Sequence, residues 1–498
     1  MIGFNSNKTR LLGTGIAGLD AVLNGGLPRN RIYLLQGDPG VGKTTVATQF
    51  LLEGCRRGES TLYVTLSETK EELNAIARAH GWSLEGIAIY EMGAESGTLG
   101  AEEENTLYFP AEVELGERMR ALLDEIARVK PTRVVIDSCS ELRLLAQTQL
   151  RFRRQIVALK EHLTRRDCTV VVLDNPTLPG GDGLLQTLVH GVIELEQWAP
   201  VYGSQRRRLF VRKLREVQFR GGYHDMAIQT GGVVVYPRLV AAEHRTNFAR
   251  EKVSCGVERL DLLLDGGLDR GTGALVLGPA GTGKSALVTQ FAVAAADRGE
   301  QVAMFIFDEG IGTLFARASA LGMNLEGHVN SGRITVQQVD PAELSQGEFA
   351  HVVRSAVEPA GARIVAIDSL NGYLHAMSQE HLLVAQLHEL LSYLRQRGTL
   401  TLMVVAQHGF VGSNMNTPID VSYLADTVVL TRFFEAGGRV RKALSVLKNR
   451  GGAHEDTIRE FSLGPRGFAV SEPLDGFRGI LTGVPWVEQR TASASEAG

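Results

Sequence analysis

The chain contains an internal duplication. Four segments recur in the same order: LDAVLNGGLP (19–28) as LDLLLDGGLD (260–269), GDPGVGKT (37–44) as GPAGTGKS (278–285), VVIDS (134–138) as VAIDS (365–369), and KLR (213–215) as KNR (448–450). A repeat that keeps its order over this span indicates two folding units of one kind. The length of 498 residues agrees with this, because single hydrophobic cores stop growing near about 250–300 residues.

The duplication defines the predicted domain organisation. We predict a first domain over residues 1–240, a polar linker over 241–250, a second domain over 251–470 and a C-terminal loop and tail over 471–498. The last eight residues, TASASEAG, carry too little apolar area to order themselves, so we expect disorder there.

Each copy shows the pattern of an α/β domain. Short apolar runs such as RIYLLQG, TLYVTLSE, RVVIDS and TVVVLDN alternate with longer segments of helical periodicity. Strands that are apolar on both faces are typical of a parallel sheet covered by helices on both sides. We therefore predict two tandem P-loop NTPase domains, each a mostly parallel sheet flanked by helices.

The two glycine-rich segments predict two ATP sites. The first consists of Gly37, Asp38, Pro39, Gly40, Val41, Gly42, Lys43 and Thr44, and the second of Gly278, Pro279, Ala280, Gly281, Thr282, Gly283, Lys284 and Ser285. Their glycines let backbone N–H groups face phosphate oxygens at a helix N-terminus. Lys43 and Lys284 would reach the β- and γ-phosphates, while Thr44 and Ser285 would offer hydroxyls to Mg²⁺.

Acidic residues stand at the ends of later strands in both copies. Asp137 and Asp368 each end a run of β-branched residues, where they would join the Mg²⁺ shell; the alternative is an Asp that caps the next turn. Glu68 and Glu309 would orient or deprotonate the attacking water, unless they are helix N-caps. Asp308 adds a second acid in the second copy only.

Composition and charge restrict the functional classes. The net charge of −4 and pI of about 6.3 are unlike those of a dedicated nucleic-acid binder. No apolar run could span a membrane and the first residues do not form a signal peptide, so we expect a cytoplasmic protein. Four scattered cysteines and twelve histidines lack metal-ligand spacing. ATP and Mg²⁺ are the expected cofactors.

Together these motifs resemble the KaiC family, double-domain RecA-like ATPases that include the cyanobacterial circadian clock kinase. The resemblance covers nearly the whole chain. It implies a two-tiered homohexamer with ATP at subunit interfaces, serine/threonine autokinase and phosphatase chemistry in the second half, and a signalling partner.

The resemblance also assigns the late basic motifs. Lys213 and Arg215, with Lys448 and Arg450, match positions whose side chains reach the γ-phosphate on a neighbouring subunit. Their alternative is a solvated strand face, because the first copy is crowded with arginines at 206–208, 212 and 220.

The segment NTPIDVSYLADTVVL (416–430) resembles the phosphorylation segment of the family, with Ser422 at the first phosphosite. Tyr423 stands where the family has threonine, so a serine–threonine order of phosphorylation does not carry over, and Tyr423 can instead pack at an interface. The loop PLDGFRGILTGVP resembles the regulatory C-terminal loop of the family. The long tail that recruits a clock partner in the family is largely absent here, so we do not expect the resemblance to extend to a full circadian oscillator.

Three functions follow. The favoured one is an ATPase and autokinase that acts as a signalling or clock-type switch. The second is a DNA-dependent RecA-class ATPase, supported by the arginine clusters and opposed by the acidic pI. The third is a nucleotide-gated scaffold without kinase activity.

Overall fold

The computed structural model describes residues 11–92, 110–164, 166–176, 183–200, 202–375, 380–407, 423–481 and 486–487. The chain folds as two compact units, Met1–Arg238 and Leu239–Gly498. Ser422 and the tail 491–498 lie outside the described residues.

The elements of the first unit are β1 (Leu11–Leu12), α1 (Ala17–Val22), β2 (Leu27–Pro28), β3 (Ile32–Gln36), α2 (Lys43–Arg56), β4 (Thr61–Thr65), α3 (Lys70–Ala79), β5 (Ile87–Glu91), α4 (Pro110–Val129), β6 (Arg133–Asp137), α5 (Cys139–Ala146), α6 (Gln149–Thr164), β7 (Thr169–Asp174), α7 (Leu184–Leu188), β8 (Gly191–Trp198), β9 (Arg206–Leu214), β10 (His224–Gln229) and β11 (Gly232–Tyr236).

The second unit begins with a 3₁₀ helix (Ala241–His244). It continues with β12 (Lys252–Val253), α8 (Glu258–Leu263), β13 (Leu268–Asp269), β14 (Gly273–Pro279), α9 (Lys284–Asp297), β15 (Val302–Ile306), α10 (Ile311–Ala320), α11 (Leu325–Asn330), β16 (Ile334–Gln338), α12 (Gln346–Val357), β17 (Ile364–Asp368), α13 (Leu370–His375), α14 (Glu380–Gln396), β18 (Leu400–Gln407), β19 (Thr427–Ala436), β20 (Arg439–Asn449), β21 (Arg459–Gly464), β22 (Gly467–Pro473), β23 (Phe477–Arg478) and β24 (Trp486–Val487).

Both main sheets have the same topology. The first has the order β11-β10-β9-β8-β3-β7-β6-β4-β5, and the second β16-β15-β17-β18-β14-β19-β20-β21-β22, which is the same arrangement read from the other edge. Six strands of each sheet are parallel, and the remaining three extend it as an antiparallel meander. This topology confirms two tandem RecA-like P-loop domains of the α/β class.

The parallel strands are the apolar runs of the sequence. All residues of β3, β4, β6 and β7 are buried, because helices cover both faces of the sheet. In the first unit, Phe50 of α2 packs in the core on one face, and Met119 of α4 and Phe152 of α6 pack in the core on the other. Two cores of the same kind enclose the second sheet.

The segment expected to link the domains packs on the second unit. The Ala241 N–H donates to Glu389 Oε2 at 3.1 Å, and His244 lies edge-on to Tyr393 with ring centroids 5.1 Å apart. Thr246 donates from both N and Oγ1 to the Gln396 carbonyl. The contacts arise because apolar and hydrogen-bonding side chains of this segment face α14, and the division between the units accordingly falls after Arg238.

Residues that follow β22 also pack on the second unit. Ile480 is buried in a small cluster with Phe434 and Ala443, on the β19–β20 hairpin. Across the described ranges, no helix combines the length and the apolar character that a membrane crossing requires.

Candidate nucleotide sites

The first glycine-rich loop connects β3 to α2. Gly40 and Gly42 have φ values of 78° and 105°, in the left-handed region that favours glycine, and Gly42 is the N-cap of α2. A Cβ on Gly37 would lie 2.4 Å from the Leu195 carbonyl oxygen, so the loop passes against β8 without room for a side chain. The loop therefore presents the N-terminus of a 14-residue helix, a geometry that binds phosphate.

Lys43 bends back over this loop. Its Nζ donates to the carbonyl oxygens of Gly37 at 2.7 Å and Asp38 at 2.9 Å. Burial lowers the pKa of Lys43, and nearby carboxylates, Asp137 first, oppose that shift. The ammonium group thus lies where it can reach a phosphate bound in the loop.

Asp137 lies at the end of β6, two strands from β3. Its Oδ2 accepts hydrogen bonds from Thr44 Oγ1 at 3.1 Å and from the Tyr63 hydroxyl at 2.7 Å. Burial raises the pKa of this carboxyl group, which the two hydrogen bonds and the charge of Lys43 oppose. Sequence reasoning missed Tyr63. This residue lies on β4 opposite Val135 of β6, and that position depends on the register of the two strands.

The second loop repeats this geometry between β14 and α9. Gly281 and Gly283 have φ values of 80° and 105°, and a Cβ on Gly278 would lie 2.2 Å from the Thr431 carbonyl oxygen. Lys284 is buried, and its Nζ donates to the Pro279 carbonyl oxygen at 2.7 Å. Burial lowers the pKa of Lys284 to about 8, against the raising effect of Asp368.

Asp368 ends β17 as Asp137 ends β6. Burial raises the pKa of Asp368 to about 6, and a hydrogen bond from Ser285 opposes the shift. A hydroxyl and a carboxylate stand together at each loop, which is the oxygen donor set that Mg²⁺ prefers when it is also bound to phosphate oxygens and water. These residues therefore fit the expected ion, although among the described residues no group of three or more His, Cys, Asp or Glu side chains is arranged to hold a metal ion by itself.

Glu68 follows β4 at the same edge of the first sheet. Its Oε2 atom is buried and has no hydrogen-bond partner. Burial and, secondarily, the charge of Asp137 raise the pKa of Glu68. Glu68 is not the N-cap of α3, since Thr69 takes that place with a capping box to Glu72.

Glu309 occupies the equivalent position in the second unit with a different partner. Both of its carboxylate oxygens accept from the Arg317 guanidinium of α10, at 2.5 and 2.6 Å. The neighbouring Asp308 accepts a hydrogen bond from Ser369, the residue after Asp368. Sequence reasoning missed Arg317, although a comparison of the residues eight positions after each glutamate would have found it.

Strand β7 carries another polar pair that the sequence analysis did not single out. Asp174, the last residue of β7, accepts from Ser140 at 3.0 Å and from Arg143 at 2.6 Å. In the second unit Asn371 takes the place of Ser140 and exchanges two hydrogen bonds with the Ala406 backbone. Both arrangements tie the helix that follows Asp137 or Asp368 to the strand beside the P-loop strand.

The late basic residues do not join the loops of their own units. Arg215 lies level with Ile32, the first residue of β3, because the His190 carbonyl accepts from Arg215 N and His190 N donates to Ile32 O. Arg450 lies level with Gly273 through Asp426 in the same way. At about 3.3 Å per residue these strand starts lie about 16 Å from the loops, which leave the strands at the opposite edge.

The lysines of these motifs are held by backbone acceptors. Lys213 Nζ donates to the Gln186 carbonyl oxygen at 2.5 Å, and Lys448 Nζ donates to the Ala425 carbonyl oxygen at 2.7 Å. Arg215 and Arg450 are exposed. In both copies the motif thus combines a lysine bonded to a backbone carbonyl with an exposed arginine at the start of the sheet strands.

The arginine cluster of the first copy is engaged locally. Arg208 donates to Glu196 at 2.8 Å and stacks on the Tyr223 ring at 3.8 Å, and Arg212 donates to Glu194 at 2.7 Å. Two of the five arginine charges are thus paired with acids on β8, which lowers the net positive charge of this surface.

The predicted phosphorylation segment is described only in part. Tyr423 lies in a turn before β19 with 51% of its surface exposed, whereas Ser422 lies outside the described residues. Tyr423 is therefore only half-buried within its own unit.

Comparison with known proteins identifies the family. The model of the KaiC ATPase family matches residues 12–240 and again residues 253–475. Similar proteins include the circadian clock protein KaiC3 of Synechocystis sp. (strain ATCC 27184 / PCC 6803 / Kazusa), 26% identical over 97% of this chain and 96% of the relative. The circadian clock oscillator protein KaiC of Synechococcus elongatus (strain ATCC 33912 / PCC 7942 / FACHB-805) is 27% identical over 95% of this chain and 91% of its own. With both halves matched and the paired sites in place, the chain belongs to the KaiC family of ATPases.

Proposed function

We propose that this ATPase works as a homohexamer whose nucleotide sites are completed between subunits, and that its second half is a serine/threonine autokinase. The observation that carries the proposal is the position of Arg215 and Arg450, which lie at the sheet edge opposite to their own P-loops. A cation that cannot reach its own γ-phosphate can serve the site of a neighbouring copy. Lys213 and Lys448 would act beside them as arginine-finger-type groups.

Each site would act on Mg-ATP. Thr44 and Asp137 would hold Mg²⁺ in the first site and Ser285 and Asp368 in the second, where the ion would neutralise charge that develops on the phosphates. Lys43 and Lys284 would bind the β- and γ-phosphate oxygens.

Glu68 and Glu309 would orient the attacking water and accept its proton in the first and second site, respectively. The buried Oε2 atom of Glu68 supports this, because a carboxyl with a raised pKa is a stronger proton acceptor.

In the autokinase step, Ser422 Oγ would attack the γ-phosphorus of ATP bound to an adjacent subunit. The new Oγ–P bond forms as the bond from phosphorus to the ADP oxygen breaks, and the hydroxyl proton passes to Glu309, assisted by Asp308. The names of the relatives as circadian clock proteins support a role as a signalling or clock-type switch with a protein partner.

Complementation between two inactive chains tests the shared sites. One chain carries Lys284→Ala, and the other carries Lys448→Ala with Arg450→Ala; both also carry Glu68→Gln to silence hydrolysis at the first site. Neither chain alone should hydrolyse ATP at the second site. The mixture should recover activity at interfaces that combine one intact loop with one intact basic pair, and a mixture as inactive as its components would reject the shared site.

A scaffold without kinase activity is the second candidate. Its support is that both carboxylate oxygens of Glu309 accept hydrogen bonds from Arg317, so the group that would act as the kinase base is already partly engaged. Incubation with γ-labelled ATP and phosphopeptide mapping separates the two, because only the kinase places label on the segment that contains Ser422.

A further inference from the structure

The second nucleotide site contains an ion pair that the first site lacks. Arg317 on α10 donates from Nη1 to Glu309 Oε2 and from Nη2 to Glu309 Oε1, at 2.5 and 2.6 Å. Such a fork fixes the plane of the carboxylate as well as its position. Both side chains are partly buried, with 30% and 20% of their surfaces exposed, so the pair is less screened than a surface ion pair.

The first unit provides an internal comparison. Ile76 occupies the place of Arg317 on α3, eight residues after Glu68 as Arg317 is eight residues after Glu309. Glu68 Oε2 is consequently buried without a hydrogen-bond partner. The same acid on the same fold is therefore positioned by packing in one copy and by a guanidinium in the other.

The surroundings of Glu309 explain why the second site needs a cation. Asp308 and Asp368 both add negative charge beside Glu309, and Asp308 stands where the first copy has the neutral Ser67. Three carboxylates in one site repel each other, and Arg317 is a cation that faces them.

The fork leaves Glu309 able to act. A carboxylate has about four lone-pair sites, and Arg317 uses two of them. The others remain for a water or a serine hydroxyl, so the contact restrains the carboxylate and leaves part of it available.

We propose that Arg317 is a positioning residue of the second site and holds the Glu309 carboxylate toward the attacking group. The first site lacks this control, because Ile76 stands where the second site has Arg317. The inference rests on the proposed role of Glu309. Arg317 itself does not touch nucleotide in this scheme and acts only through Glu309.

The test uses the full-length chain with Glu68→Gln, in which hydrolysis comes from the second site. Arg317→Ile installs the residue that the first copy uses, and Arg317→Lys keeps the charge but loses the fork. We expect Arg317→Ile to lower kcat about 10–100-fold, because a misplaced catalytic group costs about that much, with KM for ATP changed less than about twofold. Arg317→Lys should restore part of kcat.

The double variant Glu309→Gln/Arg317→Ile separates positioning from folding. If Arg317 acts through Glu309, adding Arg317→Ile to Glu309→Gln causes no further loss of kcat. Arg354→Gln is the matched control, since Arg354 on α12 pairs with Glu358, the residue after that helix, and its loss should leave both constants unchanged.

The outcomes are distinct. Unchanged kcat in Arg317→Ile, or losses that add in the double variant, would overturn the positioning role. A fall in kcat that comes with a changed KM and a lower melting temperature, and that Arg317→Lys does not restore, would overturn it too. If Glu309→Gln alone keeps full hydrolysis, the proposed function of Glu309 is wrong whatever Arg317 does.

Discussion

The Thr44 hydroxyl donates a hydrogen bond to Asp137 Oδ2 across 3.1 Å and so joins the first turn of α2 to the end of β6. The two residues are 93 positions apart in the chain. In the second unit Ser285 lies beside Asp368, where its hydrogen bond lowers the pKa of that carboxyl group. A hydroxyl and a carboxylate in contact at both loops indicate that the two pairs share one task.

Removal of Mg²⁺ should abolish ATP hydrolysis, and Asp137→Asn should weaken Mg²⁺ binding at the first site. The amide keeps an oxygen for the Thr44 hydroxyl but loses the charge that attracts the cation. In the Glu309→Gln background, the Mg²⁺ concentration for half-maximal hydrolysis should rise about tenfold or more. An unchanged Mg²⁺ titration would show that Asp137 does not serve the ion.

Lys43→Ala and Lys284→Ala should have different consequences. The first should impair assembly and basal hydrolysis, and the second should abolish phosphorylation, because the acidic sites beside the two loops are built differently. Hydrolysis, particle mass and label incorporation should be measured on both variants. Equal loss of every activity in both would mean that the copies are not specialised.

ATP or a slowly hydrolysed analogue should drive assembly to a particle of about six times the chain mass of 54.0 kDa. A ligand that binds the assembled form preferentially shifts the equilibrium toward it. Light scattering with increasing ATP measures the mass directly. A monomer at all ATP concentrations would contradict the interface model.

Phosphate should be transferred to Ser422 from a neighbouring subunit, so Ser422→Ala should lose label from γ-labelled ATP and keep nucleotide binding. The serine hydroxyl is the proposed acceptor, and neither glycine-rich loop depends on it. Peptide mapping locates the label, and nucleotide binding measured on the same preparation controls for folding.

Mixed subunits test the direction of this transfer. A mixture of Glu309→Gln subunits with Ser422→Ala subunits should place label on the Glu309→Gln chain. That chain lacks its own base, so its Ser422 can be phosphorylated only at a site where a neighbour supplies one. Each variant alone serves as the control and should remain unlabelled. An unlabelled mixture, beside a labelled wild type, would reject transfer between subunits.

The first unit should lose stability as the pH falls from about 6.5 to about 4, in part through His190. Burial and the positive charges of Lys160 and Arg31 lower the pKa of His190 to about 4, and its Nδ1 accepts from Ile32 N. Between these pH values the unfolded chain binds a proton at His190 that the folded chain does not bind. The contribution of His190 to stability is therefore complete above the unfolded pKa and disappears toward pH 4. His190→Asn should show a smaller loss over this range.

Tryptophan fluorescence can follow that unit alone. Trp82 and Trp198 lie in the first unit, and Trp486→Phe removes the third tryptophan. Urea unfolding at several pH values should give a shallower dependence of the unfolding free energy on pH for His190→Asn than for the parent chain. Equal slopes would show that His190 is not the titrating group.

The duplication, the sheet class and both glycine-rich loops could be predicted because they depend on local patterns. A loop such as Gly37–Thr44 needs glycines at set spacing between an apolar strand and a helix, and those requirements are visible in consecutive residues. The strand-end position of Asp137 follows for the same reason, since a run of buried β-branched residues ends there.

Contacts between distant residues could not be predicted in that way. The approach of Tyr63 to Asp137 depends on the pairing of β4 with β6, and the packing of Ala241 on α14 depends on which helix covers which face. Neither is encoded in a short window. The basic motifs show the same limit: their residues are plain in the sequence, but only strand direction places Arg215 and Arg450 away from their own loops.

The sequence by itself determined that the chain folds as two α/β units, each with a phosphate-binding loop and a strand-end carboxylate, because hydrophobic periodicity and glycine conformation are local properties. Only the tertiary structure decided that Glu309 is paired with Arg317 while Glu68 is buried without such a partner. The reason is that the pKa and the orientation of a carboxylate depend on the charges and the solvent that folding brings around it. Those charges come from residues on other elements of the fold.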